Sequence, residues 1–264
     1  MPVAATSTLA RMTAVPTFEE LLAEGAGVPV EGWDFSWFEG RASEQRPSWG
    51  YAQLMVERMA RATAALDIQT GGGEVLAQVT RPPKVLAATE SWPPNVELAS
   101  RRLQALGATV AAVADDADLP FPDASFDLVV SRHPVITRWD EIARVLMPGG
   151  TYFSQQVGTG SVHELTEALM GPQPVGQARS TERAVAQARS AGLEVVDLRH
   201  ERLRTEFNDV AAVVHFLRKV IWIVPGFTVE RYRDELAALH RRIQAEGPFV
   251  AYATRFLIEA HKPR

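Results

Sequence analysis

Three consecutive glycines, Gly71 to Gly73, follow a short apolar run that carries Asp67 near its end. Glycine has no Cβ, so the backbone amides of such a loop can approach a ligand closely. The spacing differs from the G-x-G-x-x-G of dinucleotide-binding loops, and a carboxylate just before the loop would repel a pyrophosphate but tolerate an ammonium group. The segment therefore points to a cationic ligand, and a plain turn that needs glycine is the alternative.

Acidic residues also follow the next two predicted strands. Glu90 lies seventeen positions after Gly73, where a carboxylate can accept hydrogen bonds from both hydroxyls of a ribose. Asp115 and Asp116 follow the third strand, where an aspartate can accept from an adenine amino group while the next backbone amides donate to the ring. The alternatives are a solvent-facing glutamate and an ordinary acidic turn.

The central part of the chain must alternate strands and helices to bring these groups to one edge of a sheet. Several of its apolar runs have no polar alternation, which is typical of parallel strands covered by helices on both faces. The predicted strands are Ala64–Ile68, Val85–Thr89, Thr109–Val113, Phe126–Ser131 and Thr151–Gln155, and the predicted helices begin near Val75 and span 95–106 and about 138–146.

Composition and pattern divide the chain into a main domain, 63–264, and three additions. Residues 1–17 are small and polar and predict a loose arm. Residues 18–62, called the cap, combine an irregular aromatic-rich segment with a helix over 51–61. Residues 201–250, called the lid, are predicted to be an insertion of two helices, at about 208–224 and 228–246. Helices at 161–170 and 181–191 and a strand at 193–199 precede the lid, and a last strand at 255–260 follows it.

The motifs and their order resemble those of the class I S-adenosylmethionine-dependent methyltransferases. Within that family the pattern is closest to the ubiquinone/menaquinone-type group. Gln69 stands where the family usually has the first glycine of its loop. The family's L-D-x-G-x-G-x-G is similar to Leu66–Gly73, its β2 acid to Glu90, its G-D-A-x-x-L-P-F to Ala114–Phe121, its F-D-x-V-x-S to Phe126–Ser131, and its E-x-x-R-V-L-x-P-G-G to Glu141–Gly150.

The resemblance implies a Rossmann-like, three-layer αβα fold whose seven-stranded, mostly parallel sheet has an antiparallel last strand. It also implies S-adenosyl-L-methionine as the cofactor. The loop and the first acid would hold its methionine part, the second acid its ribose, and the third strand's loop its adenine. By this resemblance the cofactor-binding residues are Asp67, Gln69, Thr70, Gly71, Gly73, Glu90, Ser91, Asp115, Asp116, Ala117, Ser131 and Arg132.

Two histidines are candidates for a catalytic base. His133 lies in the loop after the fourth strand, where open α/β sheets bind ligands, and the usual pKa of histidine near 6.5 lets it accept a proton at neutral pH. Its alternative role is a hydrogen bond to the backbone or to the cofactor's carboxylate. Arg132 could pair with that carboxylate or with an acidic substrate. His215 lies on an apolar helix, where a histidine is more often a packing residue.

The aromatic residues of the cap indicate how an acceptor could be enclosed. Trp33, Trp37 and Trp49 would close over the cofactor and, with the lid, shape an apolar pocket for a small-molecule methyl acceptor. Ordinary packing of the cap is the alternative. No acid and histidine cluster has metal-ligand spacing, so no metal is expected.

Composition limits the other possible functions. The net charge of −5 without a basic stripe, and the absence of cysteine, argue against methylation of ribosomal or transfer RNA, which is the nearest enzymatic alternative. Two further alternatives are a non-catalytic S-adenosylmethionine-binding regulatory module, suggested by Gln69, and a nicotinamide dehydrogenase.

No signal peptide or membrane span is visible, so a cytoplasmic protein is expected, and its oligomeric state is left open.

Overall fold

One mixed sheet of eight strands forms the centre of the computed structural model, which describes residues 16–264. The predicted arm, 1–17, lies almost wholly outside this range. The strands stand in the order β1-β7-β8-β6-β5-β2-β3-β4. They are β1 Ala42–Glu44, β2 Ala64–Ile68, β3 Val85–Glu90, β4 Thr109–Ala112, β5 Phe126–Arg132, β6 Leu146–Val157, β7 Glu194–Phe207 and β8 Phe249–His261.

The direction of the strands confirms the predicted Rossmann-like fold. Strands β2 to β6 pair in parallel, and β8 runs antiparallel to both of its neighbours, β6 and β7. The sheet has one strand more than expected, because the cap contributes β1, whose Ala42 pairs with Phe207 of β7. The parallel strands all end at one edge of the sheet, so the loops that follow them lie close together.

Helices cover both faces of the sheet. Pro93 and Pro94 begin α3, and Gly107, with a φ of +69°, ends the short 3₁₀ turn that follows it. None of the helices described within 16–264 has the length and apolar character that crossing a membrane requires. They are α1 Phe18–Gly27, α2 Tyr51–Met59, α3 Pro93–Leu103, α4 Trp139–Val145, α5 His163–Met170, α6 Thr181–Ser190, α7 Val210–Lys219 and α8 Arg233–Glu246.

Several elements differ from the sequence-based expectation. The helix predicted from Val75 is only a 3₁₀ turn, Leu76–Gln78, because the chain must reach β3 within a few residues through Pro82 and Pro83, which cannot donate backbone hydrogen bonds. Residues 147–150, which follow the helix predicted at about 138–146, belong to β6, where the register with β5 shifts. Strands β7 and β8 extend far into the region assigned to the lid, so the lid helices are shorter than predicted.

The cap and the lid form one packed unit. The cap begins with a regular helix, α1, rather than an irregular segment, and Thr17 caps it in a reciprocal box with Glu20. Buried side chains of the cap and of the lid share a single core, so this unit is held over the edge of the sheet. Its members include Leu21, Leu22 and Phe38 of the cap and Val213, Leu217 and Leu236 of the lid.

Candidate active site

The glycine loop after β2 adopts a backbone that fits its sequence. Gly71 and Gly73 have φ values of +64° and +79°, a region that favours glycine. The Thr70 amide donates to the Thr89 carbonyl at 2.9 Å, which ties the loop to β3. A Cβ on Gly71 would collide with the indole of Trp33, so the cap packs directly against this loop.

Glu90 is buried at the end of β3 and is fixed by two backbone donors. Its Oε2 accepts from the Gly71 amide at 2.8 Å, and its Oε1 accepts from the Trp92 amide at 3.0 Å. Each carboxylate oxygen keeps a further lone pair, so the group can still accept hydrogen bonds from a ligand. The loop and the acid are thus positioned by each other.

Asp67 is a buried acid near the end of β2. Burial raises its pKa to about 7, the Glu90 carboxylate adds to the rise, and a 2.7 Å hydrogen bond from Thr70 Oγ1 opposes it. No cation forms an ion pair with it within the described residues 16–264. A buried carboxyl without a positive partner suits a cationic ligand.

Gln69 is accommodated as a left-handed residue, with a φ of +57°. Its side chain turns to the loop after β5, where its Nε2 donates to the Ile136 carbonyl at 2.8 Å and its Oε1 accepts from the Val135 amide at 2.6 Å. The side chain that replaces the family's usual glycine therefore links two ligand-facing loops.

His133 lies in this loop after β5, in a left-handed conformation with a φ of +56°. Gln155 Oε1 accepts from Trp49 Nε1 at 2.7 Å, so the Gln155 amide group is left to donate to His133 Nε2 at 2.8 Å. Burial, and then the positive charges of Arg132, Arg255 and others, hold the pKa of His133 well below its usual value. His133 is neutral, and its Nε2 already accepts a hydrogen bond.

A cavity of about 1090 Å³ joins these groups to the cap and the lid. Asp67, Glu90 and Asp115 line it above β2, β3 and β4, the three strands at one end of the sheet. Arg132 and Arg255 line it above β5 and β8, which lie on the other side of β2 in the strand order. A smaller neighbouring cavity of about 20 Å³ is lined by residues that include Asp115, Ala117 and Ser131.

Known proteins resemble this chain in its central motifs and in its fold. The family model described as a methyltransferase domain matches residues 66–154. Malonyl-[acyl-carrier protein] O-methyltransferases of Marinomonas sp. (strain MWYL1) and Herminiimonas arsenicoxydans are 25% and 29% identical over 198 and 203 residues, which are 68% and 69% of this chain and 73% and 75% of those proteins. The methyltransferase domain and these relatives identify the chain as an S-adenosylmethionine-dependent methyltransferase.

A solved structure supports the same fold for this methyltransferase. The YcgJ protein of Bacillus subtilis matches with a TM-score of 0.59 and 18% identity, over 81% of this chain and 98% of that one. S-adenosylmethionine is the cofactor of the family, and the acids and the glycine loop that match its motifs come together in the structure as described above.

The predicted site residues of the methyltransferase separate into those that face the large cavity and those that do not. Gly71 and Gly73 form the loop beside it. Ala117 and Ser131 face the smaller cavity instead, and Asp116 is not among the lining residues of either. Those that line the large cavity are Trp33, Asp67, Gln69, Thr70, Glu90, Ser91, Asp115, Arg132 and His133.

The other predicted aromatic and basic residues of the cap and lid are packing residues in this structure. His215 is buried between Trp37 and Phe38, with ring centroids 5.0 and 4.9 Å away, and it does not line the cavity. Burial, with Lys219 and Arg218 nearby, lowers its pKa to about 4. Trp37 and Trp49 also lie outside the lining, so of the three predicted tryptophans only Trp33 faces the cavity.

Sequence reasoning missed several residues that the fold brings to the cavity. Arg255 on β8 pairs with Glu44 of the cap, 211 positions away in sequence, and no local pattern indicates that contact. Trp222 of the lid lies 6.3 Å from Trp33, centroid to centroid, where the cap meets the lid. In residues 16–264, no group of three or more acidic, histidine or cysteine side chains is arranged to hold a metal ion.

Proposed function

We propose that this methyltransferase transfers the methyl group of S-adenosylmethionine to a small-molecule acceptor that binds in the large cavity. The observation that carries the proposal is the continuity of this cavity. It is lined by Asp67 and Glu90 from the family's cofactor motifs and by Trp33 and Trp222 from the cap and lid. A space of about 1090 Å³ beneath a packed roof suits a compact acceptor beside a cofactor.

The residues of the sheet edge fit the cofactor. Asp67, a buried acid without a cation, would pair with the methionine amino group, and the amides of the left-handed glycine loop would approach its carboxylate. Glu90 would accept from the ribose hydroxyls with its free lone pairs. Asp115, which faces both cavities, is assigned the adenine contact in preference to Asp116.

The chemistry asks mainly for positioning. When bound, the cofactor supplies a methyl group that its sulfonium has already activated. The protein's residues hold the acceptor in line and exclude water beneath the cap and lid. His133 could act as a base only after Gln155 releases its Nε2, so we assign it first to holding the loop after β5. An acceptor that arrives as an anion needs no base.

The curated relatives make an oxygen atom the first acceptor atom to test. Both are named as O-methyltransferases that act on malonyl-[acyl-carrier protein]. A malonyl thioester is therefore the first acceptor to offer this chain, together with the methyl-labelled cofactor.

Calorimetric titration and a transfer assay test the proposal together. The wild-type protein should bind S-adenosylmethionine and its demethylated product, and Glu90→Ala should weaken both by about 10- to 100-fold, because it removes charged hydrogen bonds of about 1.5–3 kcal/mol each. Glu97→Ala is the control, since Glu97 is exposed on α3 and forms only a surface ion pair with Arg101. Binding without transfer to any small acceptor would leave a regulatory module, and transfer to RNA alone would overturn the small-molecule acceptor.

A further inference from the structure

We propose that the cavity contains a binding site for an anionic group of the acceptor, a carboxylate or a phosphate, formed by Arg132 and Arg179 beside Arg255. This inference rests on the proposed function and deepens it, because it names the charge of the acceptor. Of the two partners that the sequence left open for Arg132, the cofactor's carboxylate and an acidic substrate, it favours the substrate.

Arg132 is a cation that faces the cavity without a partner. It ends β5 and is exposed to the cavity, and its side chain has no hydrogen bond or ion pair with any of the residues from 16 to 264 that the structure describes. Its guanidinium is free to donate to a ligand, in the planar geometry that suits carboxylates and phosphates.

Arg255 supplies a fixed positive charge next to it. It lies level with Val157, the last residue of β6, at the ligand-binding edge of the sheet. Its Nη2 donates to both oxygens of Glu44 at 2.9 Å, and its Nη1 donates to Ser161 Oγ at 3.1 Å. Glu44 therefore forms its ion pair with Arg255 and not with Arg132.

Arg179 approaches from the segment between α5 and α6. Its guanidinium carbon lies 5.4 Å from the centroid of the Trp222 ring, which lines the cavity. Within the described chain, 16–264, it has neither an ion pair nor a hydrogen bond. A guanidinium stacked on an aromatic ring keeps its edge available for an anion.

These three arginines are close enough to affect one another. Burial, together with the charge of Arg255, lowers the pKa of both Arg132 and Arg179, and all three lower the pKa of His133. Glu44 and Glu74 act in the opposite direction on the pKa of Arg132, but Glu44 forms its ion pair with Arg255 and Glu74 forms its ion pair with Arg102. Positive charge without an ion pair in a partly desolvated site is unfavourable until an anion enters.

Of the other cations that line the cavity, Arg46 is exposed on the cap, and two more are held by backbone carbonyls. Arg218 donates to the carbonyls of Gly25 and Val28 at 2.9 and 2.7 Å, and Lys219 donates to the Val30 carbonyl at 3.3 Å. These contacts tie the lid to the cap. Arg132 therefore lines the cavity at the end of β5 without a side-chain partner among residues 16–264, and Arg179 lies beside the cavity wall at Trp222.

Matched probes test the site by calorimetry. Malonyl-N-acetylcysteamine carries one carboxylate, and acetyl-N-acetylcysteamine has a comparable thioester without charge. With the demethylated cofactor product present at saturation, the malonyl probe should bind at least about tenfold more tightly, the effect of about 1.4 kcal/mol for one charged contact. Inorganic phosphate is then titrated as a competitor: competition indicates a site that accepts phosphate, and its absence indicates one selective for carboxylate. Equal affinity for the two thioesters, or no binding of the malonyl probe, would overturn the proposal.

Substitutions separate this site from the cofactor site and from a structural role. Arg132→Gln and Arg179→Gln should each weaken the malonyl probe by about tenfold or more. Arg199→Gln is the control with the same charge change, since Arg199 is exposed on β7 and pairs with Asp197.

Because Arg132 and Arg179 repel their neighbours, the melting temperature of each variant should stay unchanged or rise, and a clear fall would indicate a structural role. Cofactor binding should persist in both variants. Its loss in Arg132→Gln alone would return that residue to the cofactor, whereas its absence from the wild type would defeat the proposed function itself.

Discussion

Asp67 is the residue whose ionisation should be visible in ligand binding. Its pKa is about 7, so below that pH it is increasingly protonated and loses its attraction for an ammonium group. The affinity for S-adenosylmethionine should therefore fall about tenfold between pH 8 and pH 6. Titrations at several pH values check this. A wild-type affinity that depends on pH as little as the affinity of Asp67→Asn would contradict it.

The same substitution, Asp67→Asn, should change binding and stability in opposite directions. The pKa of Asp67 is about 7 in the folded protein, above the usual aspartate value of 3.8, so ionisation destabilises the folded state increasingly as the pH rises from about 4 to about 7. Asp67→Asn should accordingly melt higher than the wild type at pH 8 and lose this advantage near pH 4. A variant that binds poorly yet melts higher has lost a ligand contact rather than its fold.

Single residues also show how far the sequence could be interpreted. Asp67 and Glu90 could be singled out because the chemistry of an acid beside a glycine loop is local. The role of Gln69 could not, since its two hydrogen-bond partners, Val135 and Ile136, are 66 and 67 positions away. The sequence shows an unusual side chain in the loop, and only the fold shows where that side chain points.

The contact between α1 and α7 determines how closely the cap can approach the lid. A Cβ on Gly25 would lie 2.5 Å from the Ala211 carbonyl oxygen and 3.0 Å from Val214 Cβ, so the helices would have to move apart. Gly25→Ala should lower the free energy of unfolding by about 1–3 kcal/mol in chemical denaturation, although alanine favours helix.

Gly27→Ala, near the end of the same helix, is the matched control. A Cβ there meets nothing within 4 Å, so the variant should be neutral or slightly more stable, by up to about 1 kcal/mol. Equal effects of the two substitutions would show that α1 does not pack on α7 at Gly25.

The elements differ in how well local sequence determines them. The bounds of β2 were predicted correctly because all five of its residues are buried between helical layers, and a fully apolar run is the result. Helix α1 was missed although Thr17 and Glu20 form a capping box, because the glycines and aromatics that follow indicate irregular structure. Residues 200–207 of β7 lie beyond the strand predicted at 193–199. They combine charged residues with few apolar ones, because much of β7 faces solvent, so their pattern does not resemble a core strand.

At the scale of the whole molecule, the arrangement of charge is invisible in composition. The net charge of −5 is an average over 264 residues. The cavity nevertheless has acids above β2, β3 and β4 and arginines above β5 and β8. Strand order creates this separation, because the residues concerned are distant in sequence and meet only at the edge of the sheet. A cation and an anion can therefore lie side by side in one cavity.

Trp33 is the point where the cofactor loop, the cap and the lid meet. Its indole lies against Gly71, its amide donates to Glu74 Oε1 at 3.2 Å, and its ring lies 6.3 Å from that of Trp222. A cofactor that orders the glycine loop should therefore also reduce the motion of the cap and the lid. We expect bound S-adenosylmethionine to slow amide hydrogen exchange in segments 31–38 and 220–223 as well as in the loop.

Trp33→Ala should break this coupling while leaving the loop responsive. In that variant the cofactor should still slow exchange at 69–73 but no longer at 220–223, because the side chain that joins the two has been removed. Ile221→Ala is the control: Ile221 is an exposed lid residue that also lines the cavity, and the coupling should survive its loss. Persistent lid protection in Trp33→Ala would mean that the roof responds to the cofactor through the cavity contents rather than through the cap.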